Sequence, residues 1–140
     1  MASVAAVKSE QTYSCDLRDW LKEVRRLEQL EQISGAHWDL EIGALTEIIL
    51  ERISTPPAVV FDNVPGVDPG RRVLSNMLET LERTALTLNL PMDLKIIPLI
   101  DALRARLRSM QPIKANVVKN GPVFENIERG NEVDLMKFPV

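Results

Sequence analysis

Four consecutive apolar residues, Ala58-Val59-Val60-Phe61, stand between Pro56-Pro57 and two turn signals in close succession, Asn63-Val64-Pro65-Gly66 and Asp68-Pro69-Gly70. A run that is short, continuous and rich in branched side chains predicts a buried strand. The prolines before it stop any helix, because they lack an N–H and bias the preceding residue toward extended backbone. The turns after it lead to a second short strand at Arg72–Leu74. Two strands joined by tight turns pair antiparallel.

Helical periodicity surrounds this pair. Leu17, Trp20, Leu21, Val24 and Leu27 fall on one stripe, predicting a helix over about Leu17–Glu28 with Asp16 as its N-cap. A short extended piece, Leu30–Ser34, follows and ends at Gly35. A second helix is predicted over about Leu40–Ile53, capped by Asp39, with Ile42, Leu45, Ile48, Ile49 and Ile53 on a broad apolar face. Gly43 inside it costs about 1 kcal/mol against alanine, and the expectation is close packing against a neighbouring element. A third helix is predicted over about Asn76–Leu88, with Met77, Leu81, Leu88 and either Leu78 or Ala85 inward. A fourth spans about Asp93–Ser109, with Ile96, Leu99, Ile100, Leu103 and Leu107 in register. Pro98 is awkward there: either it starts the helix, or it kinks a helix begun at Asp93. Beyond Pro112, Ile113, Ala115 and Val117 alternate with Lys114 and Asn116, predicting a half-buried strand, and Val123–Ile127 a further one. The expected fold is α+β: a small mixed β-sheet flanked by about four helices. Residues 1–15 are expected to be a flexible N-terminus and 16–140 one domain.

Composition limits the function classes. Aromatic residues make up 4% of the 140, so the core must be aliphatic. Net charge is −3 but uneven, −6 over residues 1–70 and +3 over residues 71–140. That split suits complementary halves or a partner surface, whereas nucleic acid requires a coherent basic face. No apolar run approaches the ~20 residues needed to cross a bilayer. The single cysteine, Cys15, permits no internal disulfide and fits a reducing cytoplasm. Beside Asp16 it reads as an inert thiol.

Tests for chemistry find little that converges. One histidine, His37, and one cysteine cannot build a zinc site; His37 reads as a turn residue. Glu47 and Glu51, one helical turn apart, could share a proton or metal, but read as a solvated face. Glu79 with Arg83, and Asp101 with Arg104, are expected as surface pairs. The loop Gly66–Arg72 has glycines and two arginines, yet lacks both phosphate-binding glycine patterns and leads into a strand, so a hairpin connection is expected. Arg104 and Arg108 align on their helix while Arg106 points elsewhere, and no interleaved aromatics make a base-stacking platform. No catalytic, cofactor-binding or metal-ligating residue is assigned.

A series of motifs in order adds a resemblance. Asp16-Leu17-Arg18-Asp19-Trp20-Leu21 is followed by Asp39-Leu40-Glu41-Ile42-Gly43-Ala44-Leu45, then by Pro57-Ala58-Val59-Val60-Phe61-Asp62-Asn63-Val64-Pro65-Gly66 and Arg72-Val73-Leu74. Near the end stand Gly121-Pro122-Val123-Phe124-Glu125-Asn126 and Val133-Asp134-Leu135-Met136-Lys137-Phe138-Pro139. From about residue 16 onward the chain resembles the N-terminal domain of UbiD-family decarboxylases. The resemblance implies reversible, non-oxidative decarboxylation of aromatic, heteroaromatic or α,β-unsaturated acids by a cytoplasmic, homo-oligomeric parent using prenylated FMN with Mn2+ and K+. It also implies that the family's Glu-Arg-Glu catalytic set and metal ligands would follow Val140. The chain is therefore expected to be inactive alone, its partners being the cofactor-binding and C-terminal domains, with no nucleic acid and no membrane. The reading favoured is a truncated chain; the alternative is a stand-alone, non-catalytic subunit that docks on a separate catalytic chain.

Overall fold

The computed structural model describes residues 16–138. The predicted flexible terminus and Cys15 lie outside the described residues. Its elements are α1 (Leu17–Arg26), β1 (Leu30–Ser34), α2 (Glu41–Arg52), β2 (Ala58–Asp62), β3 (Val73–Ser75), α3 (Leu81–Thr87) and α4 (Ile96–Ser109). Three single 3-10 turns follow, at Pro122–Phe124, Gly130–Glu132 and Leu135–Lys137. The fold is α+β, with a small mixed sheet in the order β1-β2-β3.

The apolar run occupies the middle of that sheet. β2 pairs antiparallel with β3, Val60 opposite Leu74, and parallel with β1, Leu30 opposite Ala58. The Leu30–Ser34 piece thus becomes a parallel edge strand, with α2 as the crossover that a parallel pair requires. Ala58, Val59, Val60 and Phe61 are all buried, each β2 face having its own cover. Val59 and Phe61 pack with Ala36 and Val64, and with Ile42, Leu45 and Ile49 of α2. Ala58 packs with Trp20 and Val24 of α1 and with Leu86 of α3. Each fully covered Val or Phe side chain here stabilises the fold by about 1.5–3 kcal/mol. A third cluster, Ala85, Leu90 and Leu99, joins α3 to α4.

Local chemistry sets the element ends. Asp16 caps α1: its Oδ1 accepts the Asp19 N–H at 2.9 Å, which holds the Asp16 carboxyl below its ordinary range. The α2 N-cap is Leu40 rather than Asp39, with no side-chain cap; the Glu41 carboxylate instead accepts the His37 N–H at 2.7 Å. α3 starts later than its periodicity predicts. Asn76 sits in the left-handed region at φ 56°, which a helix interior excludes, and the Thr80 hydroxyl caps the helix by accepting the Arg83 N–H at 3.2 Å. Its inner face is Arg83, Ala85 and Leu86, whereas Leu78 and Leu81 are exposed. α4 starts at Ile96, so Pro98 falls in the first turn, where its missing N–H has no intrahelical partner. Neither of the two sequence alternatives for Pro98 is needed.

Three further expectations are corrected. Gly43 faces solvent, and a Cβ built there meets nothing within 4 Å, so close packing is not its reason. Residues 113–117 form no strand: Ile113 is 96% and Val117 97% exposed, since alternation alone gives a strand no partner for its backbone. Residues 123–127 form no strand either. Gly121-Pro122 begins a 3-10 turn in which the Phe124 N–H donates to the Gly121 carbonyl at 2.9 Å.

Arg83 overturns the expected surface pair with Glu79. It is 0% exposed. Its Nη2 donates to the carbonyls of Pro56 at 2.7 Å and Asn76 at 3.0 Å, its Nε to the Met77 carbonyl at 3.1 Å, and its Nη1 to Gln29 Oε1 at 2.9 Å. Burial draws its pKa below the ordinary guanidinium value, with Glu79 and Glu82 opposing, yet a guanidinium remains charged in proteins.

Two substitutions test this packing by urea unfolding. Arg83→Ala removes the side-chain donor from three backbone carbonyls and from Gln29 Oε1 and is expected to cost about 3 kcal/mol or more; a loss under about 1 kcal/mol would contradict the role given to Arg83. Gly43→Ala is expected to stabilise the chain by about 1 kcal/mol, and a destabilisation would show that the position is packed after all.

Candidate functional site

The residues that carry chemistry in the sequence stay apart in space. His37 is exposed in the connection between β1 and α2; its ring stacks on Trp38 at 5.7 Å between centroids, and its Nδ1 accepts the Asp39 N–H at 3.2 Å. Its ring nitrogen is thus used in shaping the turn. Glu47 and Glu51 face water on α2. Among the described residues, no group of three or more His, Cys, Asp or Glu side chains converges where it could hold a metal ion.

The Gly66–Arg72 loop forms the link between antiparallel β2 and β3, as a hairpin connection should. Gly66 (φ 81°) and Gly70 (φ 88°) supply its left-handed backbone. At Gly66 a Cβ would lie 3.5 Å from Trp38 Nε1, so this turn seats the tryptophan. Arg71 does not reach outward for an anion. Its Nη2 lies 3.5 Å from Asp68 Oδ2, and its guanidinium carbon lies 4.1 Å from the centre of the Phe138 ring. The loop therefore ties the far end of the described chain back onto the sheet.

The three arginines of α4 also separate by role. Arg106 donates to the Leu88 and Asn89 carbonyls at the C-terminal end of α3, satisfying acceptors that a helix end leaves open. Arg104 makes only an exposed 3.7 Å pair with Asp101. Clefts exist but lack converging acid–base groups. One of about 400 Å3, lined in part by Ile33, Gly35, Glu41 and Leu45, contains a single carboxylate, already engaged by the His37 amide. Another, of about 250 Å3 between α1 and β3, is lined by Leu17, Leu21, Val60 and Leu74 with Arg72 at its edge.

What the molecule does present is apolar surface. Ile96, Ile97, Ile100 and Leu107 of α4 are exposed, and a cleft of about 490 Å3 is lined by Leu81, Lys95, Ile96, Ile97 and Pro98. Beyond α4, the segment 110–138 keeps almost every apolar side chain in water. Exposed apolar side chains in such number are a candidate for a binding face. The helical stripe was visible in the sequence; its outward orientation was not, because periodicity does not say which side has a neighbour.

Comparison with known proteins accords with this geometry. The model of the 3-octaprenyl-4-hydroxybenzoate carboxy-lyase N-terminal domain family (UbiD_N) matches residues 21–103. The pyrrole-2-carboxylic acid decarboxylase of Pseudomonas aeruginosa is 34% identical over 133 residues, which is 89% of this chain but 26% of that protein. Among solved structures, the vanillic acid decarboxylase of Sedimentibacter hydroxybenzoicus matches in an open form (TM-score 0.67, 24% identity, 82% of this chain and 24% of that one) and in a closed form (TM-score 0.63, 25% identity, 82% and 24%). The chain spans about a quarter of the length of these relatives. The three-dimensional likeness bears out the α+β fold, and the matched residues run from α1 into α4: this chain belongs to the UbiD family, as its N-terminal domain.

Proposed function

We propose that the chain is the N-terminal part of a reversible, non-oxidative decarboxylase of aromatic or α,β-unsaturated carboxylic acids that uses prenylated FMN, and that it does not turn over substrate by itself. The observation that carries this reading is the family match over residues 21–103 in a chain whose described residues bring no acid–base or metal-ligand set together. The pyrrole-2-carboxylic acid decarboxylase relative favours an aromatic or heteroaromatic acid as substrate.

Prenylated FMN, when bound, would supply the electron sink from which carbon dioxide leaves. The described residues do not fit it. A divalent metal such as Mn2+ takes several oxygen or nitrogen ligands, and no suitable cluster exists among them. The arginines beside the β2–β3 turn do not form a phosphate cradle, since Arg71 is already engaged by Asp68 and Phe138. The cofactor, Mn2+ and K+ therefore belong to the remaining domains in this reading, and residues 16–140 act as one scaffold domain beside them. No described helix is long and apolar enough to cross a membrane, and a single cysteine suits a reducing cytoplasm.

The exposed apolar surface gives one ground for a second reading, a separate non-catalytic subunit docking on a catalytic chain. Gel filtration with a polypeptide carrying the cofactor-binding and C-terminal domains separates the two. A stable complex in an organism that encodes those domains on a different chain favours the second.

The first reading is checked by incubating the 140-residue chain with prenylated FMN and Mn2+, desalting, and recording flavin absorbance. Absorbance at the level of a cofactor-free control is expected. Stoichiometric retained flavin would contradict the reading.

A further inference from the structure

We propose that the outward apolar stripe of α4 is the surface on which the remaining domains of the decarboxylase dock, through an apolar patch rimmed by carboxylates. The inference rests on the functional reading above and assigns its interface. Ile96, Ile100, Leu103 and Leu107 recur at spacings of four, three and four residues, which aligns them along one side of the helix, and Met110 follows at its C-cap. Such a stripe normally faces the core. Here the core contact of α4 is made by a neighbouring strip, Leu99 and Ala102 with one edge of Leu103, packed against Ala85 and Leu90. The stripe itself is left open, with Ile96 56% and Leu107 60% exposed.

Charge identifies the occupant. From Ala102 to Phe124 the sequence contains Arg104, Arg106, Arg108, Lys114 and Lys119 and no acidic residue. Arg106 is spent on the α3 carbonyls. Arg104 and Arg108 are both exposed along the solvent side of the stripe, and although Asp101 lies 3.7 Å from Arg104 this border keeps a net positive charge. A second copy of α4 laid on the first would bring these borders together, so like charges disfavour self-pairing. An apolar patch bordered by Asp and Glu satisfies both features.

Continuity and length point the same way. The stripe runs directly into segment 110–138, whose side chains at Ile113 and Val117 are almost wholly in water, and the chain makes up about a quarter of its relatives. An isolated helix face could be incidental. A helix face that leads without interruption into an uncovered arm describes one extended interface with the domains that make up the other three quarters of the relatives.

Thiol footprinting tests this directly. In a Cys15→Ser background, Ile100→Cys and Leu107→Cys place thiols on the stripe, and Ala105→Cys places one on the opposite side of α4. Each is labelled with a maleimide in the 140-residue chain and in the complete decarboxylase, whether its domains share one chain or assemble from two. Labelling at 100 and 107 is expected to slow by about tenfold or more in the complete enzyme, while 105 stays as fast as in the short chain. Equal rates in both forms at 100 and 107 would overturn the proposal. The carboxylate border has its own test: Arg104→Glu with Arg108→Glu is expected to weaken association with the separately supplied domains by about tenfold or more, and unchanged binding would remove it. Footprinting reads docking regardless of turnover, so a complete enzyme that shows protection but no decarboxylation would refute the functional reading and leave the interface standing.

Discussion

A buried guanidinium at one end of the sheet holds this domain in shape. β1 and β2 both begin at that end and antiparallel β3 finishes there, so residues 29, 56 and 76–77 meet. Chain ends that turn inward carry carbonyl oxygens away from water, and each left unpaired would cost free energy. Arg83 answers three of them, and Gln29 Oε1 besides, from a fixed position on α3. Among the described residues no carboxylate pairs with it. Its charge is stabilised by a ring of dipoles, an arrangement suited to the planar fork of arginine and not to the three-donor point charge of lysine. Gln29 Oε1 also accepts the Thr80 hydroxyl at 3.0 Å. The residue that caps α3, the residue before β1 and the arginine therefore form one network, so the placement of α3 and the start of the sheet are coupled.

Much of the local structure was legible from residue chemistry. The apolar run of β2, the turns at Asn63 and Gly70, the antiparallel return into β3 and the Asp16 cap all follow from interactions within a few residues. The failures share a different cause. The parallel pairing of β1 with β2 joins segments nearly 30 residues apart, and nothing inside Leu30–Ser34 names its neighbour. Arg83 looked like a surface residue because Gln29 and Pro56, two of its acceptor residues, lie far away in sequence. Asn76 cut the third helix short through a backbone conformation that periodicity does not report. Residues 113–117 carry a strand's alternation, but a strand is a relation between two segments, and the described chain offers no second one.

The same distinction governs the functional residues. His37, Glu47, Glu51 and the arginines of the β2–β3 connection were weighed as isolated candidates, and the structure keeps them isolated or gives them architectural partners. Catalysis by proton transfer needs groups that share a pocket and shift one another's pKa. Here burial lowers the pKa of Arg83, a structural residue. The sequence could not show that the α4 stripe faces outward, because the pattern for burial in a core is the same as the pattern for burial in an interface.

The domain accordingly divides into a closed side, where β2 is sealed between α2 and the α1–α3 pair, and an open side along α4 and the segment after it. In the reading proposed above, the closed side serves folding and the open side attachment, with the chemistry assigned to other domains. Carbon dioxide release tests that division most directly, measured with an aromatic acid, prenylated FMN and Mn2+ for the 140-residue chain and for the complete enzyme side by side. The account predicts turnover by the complete enzyme and release indistinguishable from a protein-free control for the short chain. Sustained release by the short chain would contradict it.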